Sequence, residues 1–216
     1  MHSRVLIASR IKYFNAGRRM IEMTDIRDIY SIQAVLLMTI YLQSSTRMST
    51  CYSYIGIALT GAVRMGMHRA VPDARFNPIE REVRKRIFWT CWKMDTYVGA
   101  ILGLPKGIAP EDIDQEMPMD VDDENITQDR IVPMEDGATS TMAAANAHIK
   151  LLEIMAKTVK HIYPLQGVEA SLTGNNRGYS VSRMQLHEIE LDLAAWLESV
   201  PAILKPGDDT PKQFLK

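Results

Sequence analysis

No glycine or proline interrupts the chain from Ile79 to Val98, and apolar residues recur there at three- and four-residue intervals. Ile79, Val83, Ile87 (or Arg86), Thr90, Met94, Tyr97 and Ile101 trace one stripe, which Phe88, Cys91 and Trp92 extend. A run with that period buries its apolar surface as a helix packed on other helices. Asn77 supplies an N-cap, Pro78 fits the first helical position, and Glu80 stands at the capping-box place. Glu80 and Glu82 in the first turn suit the helix dipole. Glu80–Arg84 and Glu82–Arg86 are i,i+4 pairs, each worth about 0.3–0.5 kcal/mol.

The same stretch, NPIEREVRKRIFWTCWKMD, sets five basic residues beside aromatics, a mixture that suits a nucleic-acid groove. Its charges fall in the first two turns and its aromatics follow along the axis. That order places the aromatics in a core. It leaves the Arg84-Lys85-Arg86 run facing water or anchoring acidic segments such as Glu111–Asp114. Asp95 sits mid-helix among apolar neighbours and needs a partner if buried; His68, Arg69 and Arg64 are the candidates.

The rest of the chain repeats the helical period. Helices are expected over Ser3–Tyr13, ended by Asn15-Ala16-Gly17; over Asp25–Gln43, capped by Thr24 or Asp25; and over Ser49–Met67, capped by Ser49 or Thr50. In the second, Ile29, Ile32, Leu36, Ile40 and Gln43 trace one face, and Val35, Leu37, Met38 and Tyr41 widen it. In the third, Gly56, Ala58, Gly61 and Ala62 let a neighbour come close. After Asn77–Leu102, two more helices are expected. Thr139–Tyr163 has a stripe of Ala144, Ile149 (or His148), Leu152, Met155, Val159 and Ile162, with Pro164 as its stop. Ser182–Ser199 has a stripe of Leu186, Ile189, Leu193 and Leu197. Residues 167–180 read as a polar, flexible connection.

No strand-like alternation interleaves these segments, so the expected fold is all-α, an antiparallel multi-helix bundle. The expected organisation is a helical domain over 1–125, an acidic and polar linker over 126–145, and a further helical segment over 146–216.

Composition narrows the chemistry. A formal net charge of −1 argues against a dedicated nucleic-acid module. Fourteen methionines suit adaptable packing and partner binding. Two cysteines, Cys51 and Cys91, exclude a disulfide framework and a cysteine-based zinc cluster within these residues. The five histidines form no His-x-x-x-His pair. The eight acids from Glu111 to Glu124 read as a solvated loop, since Asp120–Glu124 lacks the glycine and ligand spacing of a calcium loop. Nucleophile elbow, phosphate loop and dinucleotide fingerprint are all missing. The sequence thus offers no catalytic residue, no metal ligand and no cofactor site, and an enzyme is not expected. No secretory signal or membrane-spanning run is visible, so a soluble intracellular protein is expected.

Four motifs in order resemble the middle homology region of fungal zinc-cluster transcription factors. They are Gly66-Met67-His68-Arg69; then Glu82, Lys85, Arg86, Phe88 and Trp89 with Asp95 following; then Gly103-Leu104-Pro105; then Glu111-Asp112-Ile113-Asp114. The resemblance covers about residues 25–125. The phrases STCYSYIGIAL, KMDTYVGAILGLP and VDDENIT are most similar to the branch controlling cutinase and fatty-acid utilisation. The resemblance implies a nuclear regulatory domain for RNA polymerase II transcription of metabolic genes. In that family DNA is bound by an N-terminal six-cysteine module holding two zinc ions, which this sequence lacks; the chain is therefore expected to be a fragment, a short gene product or a variant. Expected partners are other parts of the full-length factor, transcriptional co-regulators, a small-molecule inducer, or a second copy in a homodimer; a membrane is not expected. The interior around Trp89, Trp92, Asp95 and Tyr97 is the candidate ligand pocket, because it holds a polar group amid aromatics. The alternative is a helical interaction or dimerisation module without ligand sensing.

Overall fold

The computed structural model describes residues 2–70, 75–162 and 182–205, with residues 2–10 described by their backbone. The helices among them are α1 (His2–Met20), α2 (Ile29–Ser44), α3 (Met48–Arg64), α4 (Pro78–Leu102), α5 (Thr141–Ile162) and α6 (Arg183–Ser199). Extended pairing among the described residues is limited to one bridge, Ile126 with Ile131. The all-α class is the one observed. The expected connection over 167–180 and the stop at Pro164 lie outside the described residues.

Two compact units divide the chain: residues 1–76 with 80–116, and residues 77–79 with 117–216. Residues 117–125, read from the sequence with the first domain, thus belong to the second unit.

In the first unit α2 packs on α3. Helix α2 starts later than expected because Asp28, not Thr24 or Asp25, caps it. The Asp28 carboxylate accepts from the Ser31 N–H at 2.8 Å and from the Ser31 hydroxyl at 2.6 Å. Asp25 instead pairs with Arg27 and Arg64. The buried face of α2 is Ile32, Val35, Leu36, Met38, Thr39 and Leu42, while Leu37 and Ile40 are exposed. Helix α3 begins at Met48 without a side-chain cap, so neither Ser49 nor Thr50 plays that part. Ala58 and Ala62 are buried, and Gly61 lies where a Cβ would meet Ile26 at 3.1 Å. Gly56, by contrast, has open space around it.

Helix α1 runs through Asn15-Ala16-Gly17 rather than ending there. Tertiary contact overrides the local breaker: Phe14 stacks on Tyr41 at 5.0 Å and meets Tyr54 at 6.1 Å. A Cβ on Gly17 would approach the Met38 methyl at 3.2 Å, so glycine suits this close passage.

Helix α3 closes with Gly66 at φ 70°. The Met67 N–H reaches back to the Ala62 carbonyl at 3.0 Å and the Gly66 N–H to Val63 at 2.9 Å, the pairing of a Schellman stop. The turn drops Met67 into the core, where it is fully buried. Gly66→Ala is expected to lower stability by about 1 kcal/mol, because a Cβ disfavours that backbone. Urea denaturation measures it, and an unchanged midpoint would mean that α3 does not end in a left-handed residue.

In the second unit the acidic loop caps a helix instead of facing water alone. Ser140 accepts from the Ala143 N–H at 3.1 Å, and its own hydroxyl donates to Asp120. The Asp122 carboxylate accepts from the Thr141 N–H at 2.8 Å. Two carboxylates at the start of α5 match the positive end of its dipole. Helix α5 packs on α6, and its buried residues are Ala143, Ile149 and Leu152, whereas Ala144 and Val159 are exposed. Of the stripe expected on α6, only Ile189 is buried; Leu186, Leu193 and Leu197 are exposed. The face of α6 toward α5 is set instead by Trp196, whose indole donates to the Ala147 carbonyl at 2.8 Å, and by Asp192 and Glu188, which share Lys157.

Candidate functional site

Helix α4 has the expected limits but not the expected phase. Its buried residues are Glu82, Arg84, Lys85, Ile87, Phe88, Trp89, Cys91, Trp92, Asp95, Thr96, Val98 and Gly99. Ile79, Tyr97 and Ile101, read as core, are exposed. The core line therefore runs through Phe88, Trp92, Asp95 and Gly99, at spacings of four, three and four. It also carries charge into the interior.

Each buried charge has a partner. The Arg84 guanidinium donates to the Met65 carbonyl at 2.5 Å and lies over the Phe76 ring, 4.3 Å from its centroid. Burial, with Arg75 nearby, lowers its pKa from the ordinary arginine value, and Glu80 opposes that shift. The Lys85 ammonium donates to Glu116 at 2.5 Å. The Lys85 side chain is 9% exposed and that of Glu116 is 73% exposed, so a buried cation meets an anion at the rim. Hydrogen bonding to Lys85 holds the Glu116 carboxyl below the usual range. Arg86 pairs with buried Glu82 at 3.1 Å, as the sequence spacing predicts. The expectation that Arg84-Lys85-Arg86 faces water is corrected for the first two. The alternative, an acidic anchor, holds in kind, but the acid on Lys85 is Glu116 rather than a residue of 111–114.

The motif residues meet through the backbone. The Asp114 and Gln115 N–H groups both donate to the His68 carbonyl, at 3.2 and 3.1 Å. The Gln115 amide spans the Met67 and Arg69 carbonyls at 2.9 Å each. Arg69 pairs with Asp114 at 3.2 Å, and Asp114 also accepts from the Ala70 N–H. Trp89 donates its indole N–H to the Glu116 carbonyl at 2.8 Å. Residues 66–70, 114–116 and the first half of α4 are thereby latched together. The His68 ring adds nothing to the latch through Nδ1, which is buried without a hydrogen-bond partner. Glu111 and Asp112 form an exposed 3₁₀ turn with Pro110, and Ile113 is half-buried. Gln115, Glu116 and Arg84, essential to the latch, lie beside or between the motif positions read from the sequence.

Asp95 is paired differently from expectation. Arg64 and Arg69 are engaged with Asp25 and Asp114. Asp95 accepts instead from the Gly107 N–H at 2.8 Å, and Lys106 lies over the Trp92 ring. Gly103, at φ 67°, turns the chain out of α4, and the Leu104 N–H returns to Gly99 at 2.8 Å. The Tyr52 hydroxyl then holds the Pro105 carbonyl at 2.9 Å. At Gly107 a Cβ would meet the Leu59 Cδ2 methyl at 2.7 Å, so any larger residue there requires the Leu59 side chain to move.

Burial raises the Asp95 pKa above the usual carboxylate value, with Gly107 and Lys106 opposing. The folded chain therefore holds this proton more tightly than the unfolded chain. That contribution is full in acid and fades as pH rises through the raised value. Asp95→Asn keeps the acceptor and removes the desolvated charge. It is expected to match or exceed wild-type stability at pH 7, with the gap closing toward pH 4. Asp95→Ala is expected to cost about 1–2 kcal/mol at pH 7 by leaving the Gly107 N–H unpaired. Thermal melts at both pH values check the pair. An Asp95→Asn variant as unstable as Asp95→Ala would contradict this account.

None of the four proposed pocket residues lines the three grooves described below. Trp89, Trp92 and Asp95 are buried in contact or hydrogen bonds, the two indoles meeting edge-on at 5.4 Å. Tyr97 is exposed. A groove of about 320 Å³ runs along α3 past Ser53, Gly56, Thr60 and Arg64. A smaller niche of about 50 Å³ is lined by Phe76, Arg81, Arg84, Lys85, Gln115 and Glu116, with Ala70. In the second unit a shallow groove of about 410 Å³ lies between α5 and α6. Among the described residues no group of three or more His, Cys, Asp or Glu is placed to hold a metal ion. No helix there is long and apolar enough to cross a membrane.

Comparison with known proteins supplies the context. Activator of stress genes 1 of Saccharomyces cerevisiae is 43% identical over 91% of this chain and 20% of its own length. Putative transcriptional regulatory protein YJL206C of the same yeast is 40% identical over 90% of this chain and 24% of its own. Transcriptional activator protein acu-15 of Neurospora crassa is 31% identical over 81% of this chain and 18% of its own. The chain thus spans about a fifth of the length of these relatives. No solved structure matches it. Residues 3–197, both units included, match the description of the fungal specific transcription factor domain, and the chain belongs to that family.

Proposed function

We propose that this chain is the regulatory helical domain of a larger nuclear transcription factor, with DNA contacted by a different part of the polypeptide. One observation carries the reading. The basic run that would serve a DNA groove is turned to internal partners: Arg84 to Met65, Lys85 to Glu116 and Arg86 to Glu82. The relatives' names, transcriptional regulators and activators of much greater length, support it. Such a domain acts by shifting between packings when a signal or partner favours one of them. The gene programme is metabolic or stress-linked: lipid and cutin use by the resemblance of its motifs, stress genes by the name of the Saccharomyces cerevisiae relative Activator of stress genes 1. An inducer seated among Trp89, Trp92, Asp95 and Tyr97 would have to part three buried side chains.

Inserting the chain between a heterologous DNA-binding domain and an activation domain tests the regulatory role. Reporter output is expected to change several-fold against a helical protein of equal size. Equal output, or binding of the isolated chain to duplex DNA at low salt, would sink the proposal.

A second reading, a homodimerisation module without ligand sensing, is favoured by the exposed Leu186, Leu193 and Leu197 of α6. They share one side of the helix, at spacings of seven and four. Light scattering decides it, a strict monomer at high concentration being the contrary result.

A further inference from the structure

Arg81, Arg84 and Lys85 stand at i, i+3 and i+4, so one face of α4 presents three cations to the niche beside Phe76. Among the described residues that line it, Glu116 is the one carboxylate. Arg84 and Lys85 are more than nine-tenths buried, while the Glu116 side chain is 73% exposed on the rim. A space of about 50 Å³ holds about three to four waters, the size of one tetrahedral oxyanion rather than of a nucleic-acid strand. We propose that the niche is an oxyanion site. A phosphoryl group enters it, replaces the Glu116 carboxylate on Lys85 and meets the Arg81 and Arg84 guanidiniums, whose planar forks suit phosphate oxygens. Because the niche borders the latch at residues 70, 85, 115 and 116, occupancy would tighten or release that latch.

Glu116→Gln vacates Lys85 and provides the test. Inorganic phosphate is titrated at constant ionic strength into wild type, Glu116→Gln, and the double variant Arg81→Gln/Glu116→Gln, reading the thermal midpoint. General salting stabilises all three alike, so the difference carries the signal. Phosphate should bind Glu116→Gln at least about threefold more tightly than wild type and lose that gain in the double variant. The same series in an Asp73→Asn background removes a carboxylate near Arg75 in sequence. Equal phosphate shifts in Glu116→Gln and the double variant, in both backgrounds, would overturn the site. A phosphoserine peptide and its unphosphorylated twin distinguish the sources. Binding of the phosphopeptide alone assigns a phosphorylated side chain, and binding of phosphate without it assigns the free ion. Displacement of phosphate by duplex DNA would overturn the small-anion reading.

Discussion

Trp89→Ala is expected to lower stability by about 3–5 kcal/mol, the largest single effect at the latch. Three losses combine. The indole is buried, with edge-on contacts to Phe88 at 5.6 Å and Trp92 at 5.4 Å. Its removal opens a cavity between two rings that cannot both close in. Its N–H is also the hydrogen-bond donor to the Glu116 carbonyl. Trp89→Phe separates these contributions. It restores most of the apolar contact and omits the donor, and should cost about 1–2 kcal/mol. Urea denaturation measures both. Near-equal losses would show that packing at this position matters little beside the hydrogen bond. A loss below 1 kcal/mol for alanine would place the indole outside the core.

The Lys85–Glu116 pair is expected to respond asymmetrically. Glu116→Gln leaves a buried ammonium without its carboxylate and should cost about 1–2 kcal/mol. That is less than for a fully buried pair, because water at the rim reaches the ammonium. Lys85→Met removes the buried charge, keeps the apolar stem and leaves an exposed glutamate that water satisfies. It should be neutral to within about 0.5 kcal/mol, or stabilising. A sequence reading that sent Lys85 to solvent would predict the reverse order or no effect. Stability against urea at one fixed ionic strength in a phosphate-free buffer compares them.

Much of the fold was legible because helices announce themselves locally. The limits of α4 follow from Asn77-Pro78 and Gly103, and its i,i+4 pair Glu82–Arg86 forms as spaced. The phase of α4 was not legible. The helix is apolar around most of its circumference, so period alone leaves several stripes equivalent, and the polar residues that settle the matter are inside. Lys85 is buried because Glu116, 31 positions away, reaches it; Asp95 is buried because the chain turns at Gly103 and returns a backbone N–H at Gly107. Neither closure has a local signature. Helix α1 overran its predicted stop for the same reason, since Phe14 finds Tyr41 and Tyr54 only in the folded unit. The resemblance picks out residues in three of the segments that meet in the latch, at 66–69, 82–89 and 111–114. What joins them, the Gln115 side-chain amide on the Met67 and Arg69 carbonyls and the His68 carbonyl that takes two backbone N–H groups, depends on contacts between distant segments that no local pattern displays.

The basic and aromatic run of α4 forms an internal latch, and a double-mutant cycle on Lys85 and Glu116 tests this most directly. Wild type, Lys85→Met, Glu116→Gln and the double variant are unfolded in urea under one set of conditions. The predicted coupling is about 1–2 kcal/mol, with the double variant more stable than Glu116→Gln alone because the stranded ammonium is gone. Single effects that add within about 0.3 kcal/mol would contradict it, placing Lys85 in solvent and returning the run to the outer surface.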